Sequence, residues 1–562
     1  MFYKIARLEG NNHVIRTPWP LCGLLTVLMM APSVSAIDQP IIVGDHLVFP
    51  EGAQIPAGLT PTERLWLLQH PLRTPDDAGP IPTGPVHCVA EYEATQGIWF
   101  AWEQFSDISA QLITLVTTTG NADAYVMCDT AAEITTATNF ITPYGANMSR
   151  VKFFVAPTDT VWIRDYGPRY IYEGNCRAII DHTYNRPRPQ DDAQPAFVAN
   201  TWKQARYAIP LTHGGGNYHL DALGRSYCTR LVNNENPSLT ETQIHDLWQT
   251  YQNVNTHFFD PFPTSVDSTQ HLDMWMQVAG DNTVVISNWP NNVGSTQALI
   301  CDNAAVYMAG QGYTVYRTPA RFVSGVHYTF TNVLMCNNLI VVPTYTNTSL
   351  TSNNTQAWEA WKLAAPTKTV VQVNAQAMIS SAGAFHCIVM HVPVHKGGLN
   401  PTAYLKNLRG GETLNHGNTV QINWISDDDK FAVQSVDLLL STDGGVTWPT
   451  TIASGIAPSG QFVWTVPDVA TTHARVRVVV HDNESLTGSD ESAADITIVG
   501  TPPACPGDLD GNHAVDLADL SIALANYGMS PATPEQGDLD GNGVVDLSDI
   551  SILISVYGGV CP

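Results

Sequence analysis

Gly383-Ala384-Phe385-His386-Cys387-Ile388 lies near the end of a stretch, about residues 86–393, that mixes short β-rich runs with helical segments. The β-rich runs are VKFFVAP from Val151, TVVISNWP from Thr283, NLIVVPTY from Asn338 and TVVQVNA from Thr369, and a helix is predicted over 240–252. This alternation is the mark of an α/β domain. The small residues ahead of Cys387 allow a substrate to approach the sulfur closely. Taken alone the run says little, because a cysteine in a β-rich segment is more often a small buried hydrophobe than a nucleophile.

Three further clusters set polar groups among apolar neighbours. They are Trp162-Ile163-Arg164-Asp165-Tyr166-Gly167-Pro168, the run Gln270-His271-Leu272-Asp273-Met274-Trp275, and Thr331-Asn332 ahead of VLMCNNLIVVP. If 270–275 is a strand, His271 and Asp273 at i and i+2 point to one face and line one pocket. Ala90-Glu91-Tyr92-Glu93 precedes these clusters, and His213-Gly214-Gly215-Gly216-Asn217 with Asp221 lies between them. In this order the segments resemble the agmatine deiminase and Porphyromonas-type peptidylarginine deiminase family of the guanidino-group-modifying pentein superfamily, over about residues 88–393.

The resemblance implies a pseudo-fivefold α/β propeller for the catalytic domain. It makes Cys387 the nucleophile, Asp165 and Asp273 the guanidinium-binding carboxylates and His271 the proton-transfer residue, with Asn332 a further active-site position. Trp162 is counted with the substrate-binding residues. The residue types suit the chemistry. A guanidinium is planar and cationic with paired N–H donors, so one carboxylate can hold it in fork geometry while a second takes the remaining nitrogens. Thiolate attack gives a tetrahedral adduct, an imidazole protonates the departing ammonia, and water then releases a urea-type product. No cofactor is needed for these steps.

Tyr184-Asn185-Arg186-Pro187-Arg188-Pro189 bears on the substrate. Two arginines two residues apart can make bidentate contacts to a carboxylate. In the peptidylarginine branch the matching arginines hold a substrate's C-terminal carboxylate, which agmatine lacks. Arg186 and Arg188 therefore favour a peptide or protein with C-terminal arginine, against the alternative of a basic surface turn pinned by prolines.

Lys4, Arg7 and Arg16, an apolar run over 21–31 and Val34-Ser35-Ala36 read as a signal peptide over residues 1–36, followed by an extension to 85. The apolar run is too short to span a membrane, so a secreted or cell-surface location is expected, with no membrane span after cleavage. Of ten cysteines, Cys22 would leave with the signal and nine remain, so at least one stays unpaired in an oxidising compartment. A formal charge of −25 argues against nucleic acid as a partner.

After a catalytic domain ending near 400, residues 401–500 change to alternating strands (TVQINWI, SVDLLLS, GQFVWTV, ARVRVVVHD) with a turn signal at Asp443-Gly444-Gly445, as in an all-β immunoglobulin-like sandwich. Thr501-Pro502-Pro503 marks a linker to a final module over 501–562. There DLDGNHAVDLADL from Asp508 and DLDGNGVVDLSDI from Asp538 repeat with a period of 30 residues. Asp508, Asp510, Asn512, Asp516 and Asp519, and then Asp538, Asp540, Asn542, Asp546 and Asp549, stand at loop positions 1, 3, 5, 9 and 12, a hard-oxygen set suited to two Ca²⁺ ions. A helix should follow each loop, with Leu517, Leu520 and Leu524, then Leu547, Ile550 and Ile554, on its apolar face. The copies resemble a small α-helical type I dockerin module, which implies a cohesin-like protein partner, although Leu517-Ala518 and Leu547-Ser548 depart from the usual pair at positions 10 and 11. His513 stands where the second loop has Gly543. Cys505 and Cys561 flank the repeat as a plausible disulfide.

Two alternatives remain open. One is an agmatine or free-arginine deiminase, the other a catalytically silent calcium-binding scaffold. Nothing around Cys387 matches the local motif of a papain-like protease.

Overall fold

The computed structural model describes residues 38–501, except 45, 51 and 73–78, together with 505–560. The expected signal peptide, part of the linker and Cys561 lie outside these residues. Cys505 is disulfide-bonded. Among the described residues seven cysteines are free, all buried, and no helix is long and apolar enough to cross a membrane.

One supersecondary unit recurs five times in the α/β domain. A first strand pairs antiparallel with a second, a helix crosses over, and a third strand returns parallel to the second, as a parallel pair requires. Met276–Gly280, Thr283–Asn288 and Thr314–Pro319 form one such sheet, with helix Thr296–Gly310 as the crossover. Leu334–Cys336, Leu339–Thr344 and Thr369–Asn374 form another around helix Thr351–Ala364. Tyr218–Leu220, Arg225–Thr229 and Asn255–Phe259 use helix Glu241–Gln252, which starts at a capping box between Thr240 and Gln243. Arg169–Glu173, Cys176–Tyr184 and Ala205–His213 make the fourth. The fifth joins the two ends of the domain, because Met390–Pro393 pairs antiparallel with Thr95–Ala101, which continues to Asp123–Cys128 and Val151–Val155. Strands buried on both faces explain why the runs read as near-continuous Val, Ile and Leu.

Two buried ion pairs tie other segments to this domain. Residues 52–72 cross it as a strap. Ile55 O accepts from Trp162 Nε1 (2.8 Å), and Ala57 N donates to Ser381 O (2.9 Å). Thr60 and Glu63 form a capping box on helix Pro61–Leu67, and the same Glu63 carboxylate receives Arg188 Nε (2.8 Å) with both side chains fully buried. Arg188 also donates to Pro56 O (2.8 Å). The second pair lies against the all-β unit, where Arg177 donates from Nε and Nη2 to Asp427 (2.7 and 3.1 Å) and His395 Nδ1 donates to the same carboxylate (3.0 Å). Phe431 stacks on Trp202 beside it with ring centres 3.6 Å apart.

The all-β unit has two sheets. Thr402–Leu405, Thr419–Asp427 and Gln461–Thr465 form one. The other is a six-stranded sheet centred on Thr471–Asp482 and Val433–Ser441. Trp424, Leu438, Val478 and Ile496 belong to its core.

In residues 505–560 the two loops lead into helices Leu517–Ala525 and Leu547–Ser555. The expected apolar stripe is corrected here. Of its six residues Ile550 is in the core and Leu520 packs against it, while Leu517, Leu524, Leu547 and Ile554 are exposed, and Ala523, Leu553 and the loop residue Val515 complete the core. The loops set the helix phase: Asp516 and Asp546 cap the helices, so Asp519 and Asp549 turn inward and the stripe rotates with them.

Asp427→Ala leaves the Arg177 guanidinium buried without its anion and should destabilise the protein by about 3–5 kcal/mol, read from the urea unfolding midpoint. Burial alone would raise the Asp427 pKa, but Arg177 and His395 outweigh it and hold the carboxyl well below the ordinary range. Its contribution is therefore complete above the usual carboxylate pKa of about 4 and is lost as the pH falls below that value. Glu63→Gln should cost roughly 3 kcal/mol. Glutamine still completes the capping box, so the loss reports the uncompensated charge of Arg188 in the same unfolding measurement.

Candidate active site

Each of the five units is joined to the next by a connection that turns inward, and all five connections meet. The first carries Arg164 and Asp165 on the short helix Ile163–Tyr166, and the second carries Gly214 to Asn217. His271 and Asp273 stand on the third, Asn332 on the fourth, and His386 and Cys387 on the fifth, in the turn His386–Ile388. The strand expected at 270–275 is not formed. Leu272–Met274 is a 3-10 turn with His271 at its N-cap, entered through Gln270 at φ +60. The tight turn still leads both side chains to the centre, and a left-handed non-glycine residue just before His271 is a local strain of the kind held at functional sites.

The centre is dry and crowded. Cys387, His271, Asp165, Asp273 and Asn332 are each at most 2% exposed. A Cβ on Gly216 would fall 2.7 Å from Asp165 Oδ1, 2.8 Å from His271 Nδ1 and 2.9 Å from Asp273 Oδ2. Only glycine fits where these three groups converge. Asp165 Oδ1 accepts from Gly216 N (3.1 Å) and faces His271 Nδ1 at 3.3 Å. Asp273 Oδ2 accepts from Cys387 Sγ (3.3 Å) and His386 Nδ1 (2.8 Å). Asn332 Nδ2 donates to Cys387 Sγ (3.1 Å), while its Oδ1 accepts from His386 N (3.0 Å), clamping the turn that carries the cysteine.

Three polar atoms here are buried without a partner: Asp165 Oδ2, Asp273 Oδ1 and His271 Nε2. Burial pushes the Cys387 thiol up, and the Asp273 and Asp165 carboxylates push it further. Burial opposes charge on His271, but Asp165 outweighs it and raises the imidazole above its ordinary value. Burial likewise opposes ionisation of Asp165, which His271, Arg186 and the Gly216 N–H overcome, so its carboxyl is lowered. The arrangement therefore holds an anionic pocket that a cation with several N–H donors would complete.

A cavity of about 1080 Å³ abuts the centre at Asn185, Arg186 and Gln270, with the strap residues Leu59 and Leu67 on its wall. Of the predicted substrate-binding residues only Arg186 lines it. Arg188 is not available to a substrate carboxylate, because Glu63 and Pro56 O occupy its guanidinium. Trp162 is fully buried beneath Ile55 and Gly383 and reaches no open space. Both readings rested on local sequence, and the strap lies about a hundred residues away along the chain. Glu235, which no motif marked, lines the same cavity with its carboxyl pushed up to about 7 by burial.

In the C-terminal module Asp508, Asp510 and Asp519 bring ligand atoms within 4.8 Å of one another, as do Asp538, Asp540 and Asp549. Asp538 Oδ1 is buried without a partner, and a carboxylate oxygen is a donor of the kind a hard cation takes. The other four expected ligands do not join these clusters, and like the six aspartates they bond within their own loops. Asp516 and Asp546 accept from Ala518 N and Ser548 N, and the Asn512 and Asn542 oxygens accept from Ala514 N and Val544 N. His513 adopts φ +66 where Gly543 adopts +82, a conformation that costs a side-chain-bearing residue.

Among known proteins, a "putative agmatine deiminase" of Shewanella baltica is 29% identical over 212 residues, covering 32% of this chain and 54% of its own. One from Photobacterium profundum is 26% identical over 180 residues, covering 28% and 48%. The chain thus spans about half the length of the curated relatives it matches. The solved agmatine deiminase of Enterococcus faecalis is 18% identical with a TM-score of 0.47, covering 55% of this chain and 96% of its own. The "putative arginine deiminase" of Porphyromonas gingivalis is 17% identical with a TM-score of 0.49, covering 55% and 98%. The family model for Porphyromonas-type peptidyl-arginine deiminase matches residues 87–393, which is more than half of the 562 residues and holds every residue of the buried centre. The chain belongs to the Porphyromonas-type peptidyl-arginine deiminase family.

Proposed function

We propose that the protein is a hydrolase that cleaves a C–N bond of a guanidino group, converting an arginine-like substrate to a citrulline-like product and ammonia. The observation that carries this reading is the pair of buried, unpartnered oxygens Asp165 Oδ2 and Asp273 Oδ1 beside Cys387. A guanidinium seated between them donates N–H bonds to both and replaces their repulsion of a thiolate with attraction, so the Cys387 proton leaves to solvent as the substrate binds. The thiolate adds to the guanidinium carbon. His271, charged at the start, protonates one nitrogen, and the C–N bond breaks to release ammonia and a thiouronium on Cys387. Neutral His271 then takes a proton from water, the hydroxide adds, and the C–S bond breaks as the adduct's hydroxyl proton passes to sulfur, which gives the ureido product, the Cys387 thiol and charged His271, while the proton lost at binding ends on the released ammonia.

For the substrate we infer a peptide or protein ending in arginine. Arg186 at the cavity floor supports it, as does a cavity larger than a lone guanidino compound needs. Agmatine or free arginine is the second reading, favoured by the engagement of Arg188 with Glu63. Ureido product is to be measured side by side on a peptide with free C-terminal arginine, its amide, an internal-arginine peptide and agmatine. Preference for the free C-terminus supports the first reading, and preference for agmatine supports the second. Cys387→Ala should abolish turnover on all of them. No product from the wild type would favour the silent scaffold.

Export from the cell, suggested by the N-terminal 36 residues, fits a protein substrate outside it. The β unit is proposed as an immunoglobulin-like sandwich, and the final module as dockerin-like with two Ca²⁺ sites and a cohesin-like partner. Asp538 Oδ1 supports the second of these sites. Because these ligands stand apart from Cys387, protein ending at Gly500 should keep its turnover within about twofold of the full chain, in the same assay with and without a calcium chelator.

A further inference from the structure

Glu91, Arg164 and His386 belong to the motifs quoted above, lie against the buried centre and play no part in that chemistry. We propose that Glu91 and His386 are positioning residues for the reaction, with His386 held as an imidazolium between Glu91 and Asp273 so that Asp273 turns its free oxygen to the guanidinium. The proposal rests on the deiminase reading of the same site.

His386 is fully buried. Its Nδ1 lies 2.8 Å from Asp273 Oδ2, and its Nε2 lies 2.9 Å from both oxygens of Glu91. An ionised carboxylate only accepts hydrogen bonds, and a neutral imidazole donates from one nitrogen alone. Both contacts are satisfied together only when both ring nitrogens carry protons. The other charged and titratable groups facing the ring are Arg164, His219, His391 and Cys387. Arg164 donates Nη1 to Glu91 (2.9 Å) and Nε to His386 O (3.2 Å). Its Nη2 faces His391 Nδ1 at 2.9 Å, and His391 Nε2 donates to Met335 O (2.6 Å), so His391 is neutral. His219 lies with its ring centre 5.0 Å away, and burial drives it to the neutral form. Glu91, His219 and His386 are close enough together to hold a metal, but Arg164 already supplies the cation that Glu91 needs. Gln277 Nε2 completes Glu91 at 3.1 Å.

The consequence for Asp273 is geometric. Its Oδ2 is pinned by His386 and Cys387, which leaves Oδ1 as the one buried acceptor without a partner. Loss of the His386 proton would set a carboxylate against a bare ring nitrogen, so turnover falls as the pH rises through the pKa of His386. Glu91 is one of the two anions that hold that proton. Neutralising it makes His386 give up the proton at lower pH.

The test uses the full chain and the best substrate from the panel above, with kcat followed from pH 5 to 10 and folding checked by the unfolding midpoint. In Glu91→Gln the alkaline fall in kcat should begin about one pH unit lower than in the wild type, and kcat at the optimum should drop by roughly tenfold or more. In His386→Gln, which still offers Asp273 an N–H but no charge, the fall should be set by His271 alone and lose the part that Glu91→Gln shifts, and kcat should drop similarly. Glu91→Asp keeps the anion beside Arg164 but withdraws it from the ring, and should shift the fall in the same direction by less. This mild variant decides the matter if the others fail to fold. An alkaline limb unmoved in the folded Glu91 variants, or His386→Gln turning over at the wild-type rate, would overturn the proposal. Wild-type protein inactive on every guanidino compound would overturn the deiminase reading instead.

Discussion

The molecule is organised around carboxylates that have been brought together out of water. Asp165 and Asp273 converge on the space above Gly216, and Glu91 lies just beyond, separated from Asp273 by the His386 ring. Uncompensated, such a group would be among the costliest features a fold can carry. With His386 charged as proposed, the cost is met by cations placed one to each gap: His271 against Asp165, His386 between Asp273 and Glu91, and Arg164 against Glu91. Two carboxylate oxygens, Asp165 Oδ2 and Asp273 Oδ1, are left without a partner, and they mark the place proposed for the substrate. In the proposed reaction a tight grip on a guanidinium follows from these two oxygens, and burial together with the same two carboxylates suppresses the free thiolate.

Holding that arrangement requires the five-unit architecture. Each connection contributes a short, stiff turn, and the side chains of neighbouring turns bond one another, as Asn332 does in clamping the Cys387 turn. Because the fifth sheet is built from both ends of the domain, its first and last strands hold each other in place. The strap over residues 52–72 adds a further layer. It satisfies the buried Trp162 indole and the Arg188 guanidinium and forms part of the wall of the cavity. The residues expected to recognise the far end of a substrate are thereby divided, one facing the cavity and one committed to the fold.

The all-β unit is joined to the α/β domain through desolvated charge, with Asp427 accepting from Arg177, His395 and Gln204 at once. Charged groups satisfied this fully lock a geometry more than they add net stability. The C-terminal module is organised locally. Asp519 and Asp549 each accept from backbone N–H groups of their own loop and from the helix cap, so one carboxylate sets both the loop and the phase of the helix that follows.

Much of this was legible in the residues. The β-rich runs, the helix over 240–252 and the order of the polar clusters depend on local periodicity and motif spacing, and the chain records both directly. Asp165, His271, Asp273, Asn332 and Cys387 could be named through the family resemblance that the order of those clusters carries. The roles of Arg188 and Trp162, the turn at 272–274 and the apolar faces of the last two helices could not, because each depends on a partner distant in sequence or on a cap that rotates the helix. His386 stood in plain view beside Cys387, yet its meaning required Glu91, almost three hundred residues earlier. The sequence by itself determined which chemical groups are present and in what order the strands and turns carry them. Only the tertiary structure decided which charges face each other across a dry centre, since that pairing is a matter of distance in space, to which position along the chain is no guide.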